Sequence, residues 1–534
     1  MTATEQVIES LPPHLRRYAV AQEWEAYTPR DHAVWRYVMR RLTGHLADKA
    51  HPSYLSGLAA TGISVERIPR IDEMNERLAA VGWSAVPVRG FVPPAVFTEL
   101  QSLGVLAIAA DIRSVEHLEY TPAPDIVHES AGHAPIIANR RYAEYLRRAG
   151  EVGFRAIASA ADQAAFEAVR NLSVVKEDPA ATPAEIQLAE ERLQAAAASR
   201  RRASENARAS RLYWWTAEYG LMGEPARPRL YGAGLLSSIG ESARCLGDEV
   251  RKVELSPACA DVDFDITRMQ PQLFVARDFD HLFEVVEAFE ATLSWRRGGD
   301  HGLAEALAGG TVVHLGLDGG RELTGRVAEV VRGPAPAGPG LGAALARLEG
   351  PVLRSSRGRA EGRPRPGPAL VAFGREAPPA QGAFRLALGT GLELSGFATG
   401  AGEVVGLAGS VAGRPLDLPG TALLLVSASL PSVAGGPADA PAWDRWFGAL
   451  DTFAEGEGEA RARARKAAAL SPVLAALYRR ARALREAGGD GRELDALERE
   501  AEAFPGEWLL REELRELRAG GGGATARLAA GSPP

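Results

Sequence analysis

The chain has 534 residues, 46% hydrophobic and 24% charged, with 61 basic and 68 acidic side chains and a formal net charge of −7. That length exceeds what one hydrophobic core organises, so two or three domains are expected, in a composition ordinary for a soluble globular protein. The mild acidity gives no reason for a nucleic-acid partner. Two cysteines, Cys245 and Cys259, exclude a disulfide framework or a Cys-rich zinc module, and no apolar run reaches bilayer length.

The first residues, Met1 to Gln6, are polar and do not read as a signal peptide, so a cytoplasmic protein without a membrane partner is expected. Residues 1–84 read as an N-terminal helical layer. In it, Asp31 to Arg40 place apolar residues at helical spacing behind Asp31 as N-cap. Residues 85–300 hold the chemistry, with an Ala/Glu/Arg-rich helical insertion at about 155–210. Thr182-Pro183-Ala184-Glu185 predicts a capping box opening one continuous helix from about Pro183 to Gly220. Beyond residue 300 the pattern changes to short strands around the Asp318-Gly319-Gly320 turn. Pro/Gly-rich connectors follow near 333–342 and 357–368. We expect a β-rich accessory module over 301–450, C-terminal helices over 451–518 as its appendage, and a disordered tail over 519–534. Removing everything after about residue 300 should then spare the chemistry. The insertion and the C-terminal module are the two surfaces on offer for self-association.

The run Pro124-Asp125-Ile126-Val127-His128-Glu129-Ser130-Ala131-Gly132-His133-Ala134-Pro135 carries the most information. In a straight α-helix, five positions rotate the second side chain by roughly 140° from the first, so one regular face cannot offer both imidazoles to one ion. A shared metal requires the helix to end or bend between them, with Gly132 permitting the bend and Pro135 stopping the helix. Glu218, in Tyr213-Trp214-Trp215-Thr216-Ala217-Glu218-Tyr219-Gly220, is the leading carboxylate to complete the set. Two His and one carboxylate form the facial triad of non-haem Fe(II) oxygenases. The same three residue types suit a catalytic zinc with a bound water, and two unrelated structural histidines are the plain alternative.

Around these residues the chain resembles the pterin-dependent aromatic amino acid hydroxylases. Three blocks carry the likeness in order: Tyr120 to Glu129 with Gly132-His133, Tyr213 to Leu221, and Tyr231 to Glu241. The resemblance covers about residues 85–295 and implies a mainly α catalytic domain with few short strands. It implies Fe(II) on His128, His133 and Glu218, and a tetrahydropterin, such as tetrahydrobiopterin, against Phe97. Gly90, Phe91 and Val92 match the pterin loop, and Glu129 and Tyr213 line the slot. Arg113 matches the arginine that grips the amino acid carboxylate. Thr121, Trp214, Gly234, Ser237 and Glu241 match positions lining the amino acid pocket or supporting His128. The implied reaction hydroxylates an aromatic amino acid with O2, the substrate expected being phenylalanine, with tyrosine or tryptophan as the alternative. A non-enzymatic assembly protein on a degenerate hydroxylase fold would show a broken triad, whereas all three ligand candidates are present. The chain departs from the family in the small Ser130-Ala131 pair and in the 85 positions separating His133 from Glu218, more than in animal members.

Overall fold

A computed structural model describes residues 1–90, 92–118, 125–178, 180–199, 202–266, 268–447, 470–487 and 491–519. Phe91, Thr121, the 448–469 stretch and the tail from 520 lie outside the described residues.

The N-terminal layer is organised by the helix Pro29–Leu46. It starts one turn earlier than expected. Thr28 is the N-cap and Asp31 is its partner three residues into the helix, each side chain accepting from the other's backbone N–H at 3.2 and 2.8 Å. Pro29 fits the first helical position, where no N–H is needed. A parallel pair of strands, Ser84–Val88 and Val105–Ala109, flanks the short helix Pro94–Ser102. That helix packs against Arg140–Arg155, whose N-cap Asn139 accepts from the N–H groups of Arg141 and Tyr142.

The insertion is a helical hairpin, Ala160–Glu177 against Pro183–Ala198. The Thr182/Glu185 capping box forms as expected, with bonds of 2.7 and 3.3 Å. The continuous helix expected from Pro183 to Gly220 does not form. The chain instead starts a new helix at Glu205–Tyr213, because the Ser204 hydroxyl caps it by accepting from Ala207 N at 3.0 Å. A four-stranded sheet built from Leu221–Glu224, Arg227–Leu230, Arg251–Glu254 and Gln272–Ala276 closes this half.

Residues 312–435 form a sheet of 12 strands, long and short together. Val312–Gly316 and Arg321–Arg332 pair antiparallel around the Asp318–Gly320 turn, where Gly319 and Gly320 take positive φ of 68° and 76°. The central strands Ala369–Phe373 and Thr421–Ser427 run parallel to each other. Their continuous apolar character follows from burial on both faces. Ala369, Val371 and Phe373 point into one core, while Leu370 and Ala372 point into another.

The C-terminal helices do not hang from this sheet. Leu477, Tyr478, Leu497 and Leu510, from Pro472–Ala487, Gly491–Ala501 and Trp508–Arg518, belong to the same apolar core as Val34, Met39 and Leu42 of the 29–46 helix. Arg36 and Glu513 form a buried, forked ion pair there, with Arg36 Nε 3.0 and 3.1 Å from the two carboxylate oxygens. The chain's far end is thus part of the layer behind its first long helix. On its other side that helix touches the short helix Ile239–Arg244, where His45 Nε2 lies 3.0 Å from the Ser242 carbonyl.

Candidate metal centre

Both histidines sit on one π-helical segment, Val127–His133. Bonding from i to i+5 widens each turn, so a separation of five returns the second side chain to the side of the first. The two rings stand 5.1 Å apart and nearly perpendicular, at 88°. Of the two expected alternatives, an end or a bend, the helix does not end between them, and Pro135 does not stop it. It continues into Ala134–Ile137, with Pro135 in the first turn. Gly132 serves a lateral contact instead. A Cβ there would lie 2.6 Å from the Ala233 carbonyl oxygen, so only glycine lets the helix Ala233–Ser237 approach.

The carboxylate arrives on a second π-helical segment, Trp214–Glu218, which continues the 205–213 helix. Glu218 Oε2 lies 3.2 Å from His128 Nε2, and Oε1 lies 3.1 Å from His133 Nε2. One donor atom from each of the three residues falls within 4.8 Å of the others. His133 is 1% exposed, and its Nε2 has no hydrogen-bond partner. Without a metal, burial would lower the His128 imidazole, but the adjacent Glu218 carboxylate prevails and raises it to about 9. Glu218 itself is pushed up by burial, yet the two imidazoles hold it well below the usual carboxylate range. Donors set at right angles at roughly 2.1 Å from one ion are about 3 Å apart, so this spacing and donor set fit a divalent metal.

Behind the donors, the Ser237 hydroxyl donates to the Ala233 carbonyl at 2.7 Å and lies 3.0 Å from His128 Nδ1. With its proton given to Ala233, Ser237 accepts from Nδ1–H, which leaves the His128 Nε2 lone pair facing Glu218.

Asp125 was not singled out from the sequence. Its buried carboxylate accepts from Arg113 N, Nε and Nη2 at 2.9, 2.8 and 2.8 Å, and from His128 N at 3.0 Å. Burial raises its carboxyl, but the Arg113 guanidinium and the two backbone N–H groups outweigh that and hold it low. Its place three residues before His128, with the spacing of a helix cap, was the available signal. Arg113 is 3% exposed, its fork engaged by Asp125 and its Nη1 bonded to the Ser237 carbonyl at 3.1 Å.

Glu129 is buried beside the triad, its Oε2 4.0 Å from His133 Nε2 and otherwise without a partner, and burial raises its carboxyl. Phe97 meets Tyr213 edge to face, with centroids 5.6 Å apart, and Gln101 Nε2 donates to the Tyr213 hydroxyl at 2.5 Å. Val92 packs in the same cluster as Phe97, and Gly90 takes a positive φ of 60°. Trp214 is sandwiched between Tyr219 and Phe264, with centroid distances of 4.5 and 4.2 Å. Phe264 was also missed, since one aromatic in a loop carries no signature. Gly234 lies against Tyr219, whose ring would be 2.8 Å from an added Cβ. Glu241 accepts from Gln270 N at 3.2 Å, and burial raises it to about 7.

The model of the biopterin-dependent aromatic amino acid hydroxylase family matches residues 18–170 and 187–297. The phenylalanine-4-hydroxylase of Pseudomonas aeruginosa is 30% identical over 263 residues, covering 49% of this chain and 83% of that protein. The chain belongs to the biopterin-dependent aromatic amino acid hydroxylases. Another member, the phenylalanine-4-hydroxylase of Caulobacter vibrioides, is 29% identical over 336 residues, 60% of this chain and 97% of that protein. A solved structure of Chromobacterium violaceum phenylalanine hydroxylase with iron(III) and 7,8-dihydrobiopterin is 27% identical, covering 51% of this chain and 85% of that one, with a TM-score of 0.41. The residues between the two matched stretches, 171–186, fall inside the helical insertion.

Proposed function

We propose that this hydroxylase is a phenylalanine 4-monooxygenase, converting L-phenylalanine to L-tyrosine with O2 and a tetrahydropterin at Fe(II) held by His128, His133 and Glu218. The observation that carries the reading is the buried convergence of His128 Nε2, His133 Nε2 and the two Glu218 oxygens, with no well-aligned hydrogen bond occupying His133 Nε2. Phenylalanine is chosen over tyrosine and tryptophan because the relatives at 29% and 30% identity bear that name.

When bound, ferrous iron and the tetrahydropterin supply the electrons that activate dioxygen; the remaining work belongs to the chain. His128, His133 and Glu218 would hold the metal, a donor set of two neutral imidazoles and one carboxylate that suits ferrous iron. Ser237 keeps His128 in the tautomer that offers Nε2. Asp125 ties the His128 backbone to Arg113, so the residue assigned to the substrate carboxylate and the first metal ligand move together. Phe97 and Tyr213 form the aromatic wall assigned to the pterin, and Gly90, Phe91, Val92 and Glu129 are assigned to the same cofactor. Thr121, Trp214, Gly234 and Glu241 are assigned to the amino acid side. The buried Cys245 and Cys259 thiols are both free, which supports a cytoplasmic location for this enzyme.

The test loads the protein anaerobically with ferrous iron, adds a tetrahydropterin and each of the three aromatic amino acids, admits air and identifies products. Tyrosine from phenylalanine is expected. Absence of any hydroxylated product would remove the assignment, and hydrolytic activity with zinc alone would favour the hydrolase alternative.

A further inference from the structure

A cleft of about 340 Å3 opens on the seam between the N-terminal layer and the C-terminal helix Pro472–Ala487. Trp24, Tyr27 and His32 line it from one side, Arg479 and Arg482 from the other. None of these belongs to the metal centre.

Its electrostatics are lopsided. The Trp24 indole is anchored by Nε1 donating to the Ile68 carbonyl at 3.0 Å. Three guanidiniums crowd its ring: Arg70 at 3.7 Å from the centroid, and Arg67 and Arg482 each at 5.8 Å. Arg70, Arg67 and Arg482 have acidic partners in Glu25, Glu73 and Glu486, whereas Arg479 has none among the described residues.

His32 adds an independent sign. It is fully buried, and its Nδ1 accepts from Ile68 N at 3.2 Å, so its proton resides on Nε2. That Nε2–H is buried without any acceptor. Burial, followed by the guanidiniums of Arg482, Arg36, Arg67 and Arg70, lowers the imidazole to about 3, so it stays a neutral donor. A buried donor lacking its acceptor within a positive field calls for an oxyanion. Flat aromatic walls call for a planar apolar body, and the volume suits a small one.

We propose that this cleft binds a small planar carboxylate, its ring against Trp24 and Tyr27 and its carboxylate shared by His32 and the guanidiniums of Arg479 and Arg482. Glu25 and Glu486 on the rim disfavour more highly charged anions such as phosphate. Because the walls come from opposite ends of the chain, the ligand fastens the C-terminal helix to the N-terminal layer. Anything bound only by the folded state raises its stability. The site stands independently of the substrate assigned above.

The full chain is titrated with sodium benzoate, benzyl alcohol and inorganic phosphate at constant ionic strength, following calorimetric binding and thermal unfolding. Benzoate is expected to bind and raise the unfolding temperature, with benzyl alcohol and phosphate at least tenfold weaker. Arg479→Glu, at an exposed position, should weaken benzoate at least tenfold; Arg482→Gln is the second variant, with the same expectation. Failure of benzoate to bind, or binding unchanged in both variants, overturns the site. Equal binding of benzyl alcohol or phosphate overturns the ligand class.

Discussion

The Ser237 hydroxyl stands 3.0 Å from His128 Nδ1 while giving its own proton to the Ala233 carbonyl, so a short helix in the third sequence block fixes the tautomer of a candidate ligand in the first. Ser237→Ala should let the imidazole rotate and switch tautomer. A loss of about 10–100-fold in iron affinity or activity is expected, as for other supports of metal-bound histidine. Iron competition against a chelator measures it, and an unchanged affinity would make Ser237 mere packing.

Glu218→Gln and His133→Ala each remove one donor from the set. Both variants should purify without stoichiometric iron and without turnover. Because the donors must be free of protons to bind, metal uptake by the wild type should release protons and weaken as pH falls. Calorimetry in two buffers of different ionisation enthalpy reads that release directly.

Arg113→Ala has two expected effects. The concentration of amino acid required should rise, as the assigned role demands. Stability should also fall by about 3–5 kcal/mol, because Asp125 is left as a buried, unpaired carboxylate. Denaturant unfolding beside steady-state kinetics separates the two.

Glu241 supplies a pH signature. Its carboxyl is raised by burial from 4.5 to about 7, so between those values the unfolded chain binds fewer protons than the folded one. Stability therefore falls as pH rises across that window and stays reduced above it. Glu241→Gln should flatten this dependence and leave the variant more stable at pH 8, by about 1–3 kcal/mol. Urea melts at pH 5 and pH 8 test the sign.

The C-terminal helices are integral to the first half, against the expectation that everything past residue 300 is accessory. Glu513→Ala should cost about 3–5 kcal/mol, since it strands the Arg36 guanidinium in a buried position. Ending the chain at residue 300 should expose the apolar face that meets Leu477, Tyr478 and Leu510, giving aggregation in place of a soluble active fragment. A monodisperse, active truncation would contradict this.

Local chemistry was readable without coordinates. The Thr182/Glu185 box, the strands around Asp318-Gly319-Gly320 and the triad of His128, His133 and Glu218 each depend on residue type at short spacing or on blocks that resemble a family. The five-residue gap between the histidines announced that an ordinary helix would not serve, but not how it would be altered. Residue identities do not encode the choice between a break and a wider turn. Contact with the 233–237 helix over Gly132 accompanies the wider one.

What tertiary structure alone decided is everything that needs two distant segments in one place. Asp125 became a junction only when Arg113 folded onto it, and Phe264 became a wall only when it stacked on Trp214. The pairing of Arg36 with Glu513 joins residues 477 positions apart, and nothing local marks either as buried. Sequence fixes which groups can donate, accept, coordinate or cap over a few residues, because those energies are local. Which apolar faces cover one another is settled by the global burial of surface from water, and that sum runs over the whole chain.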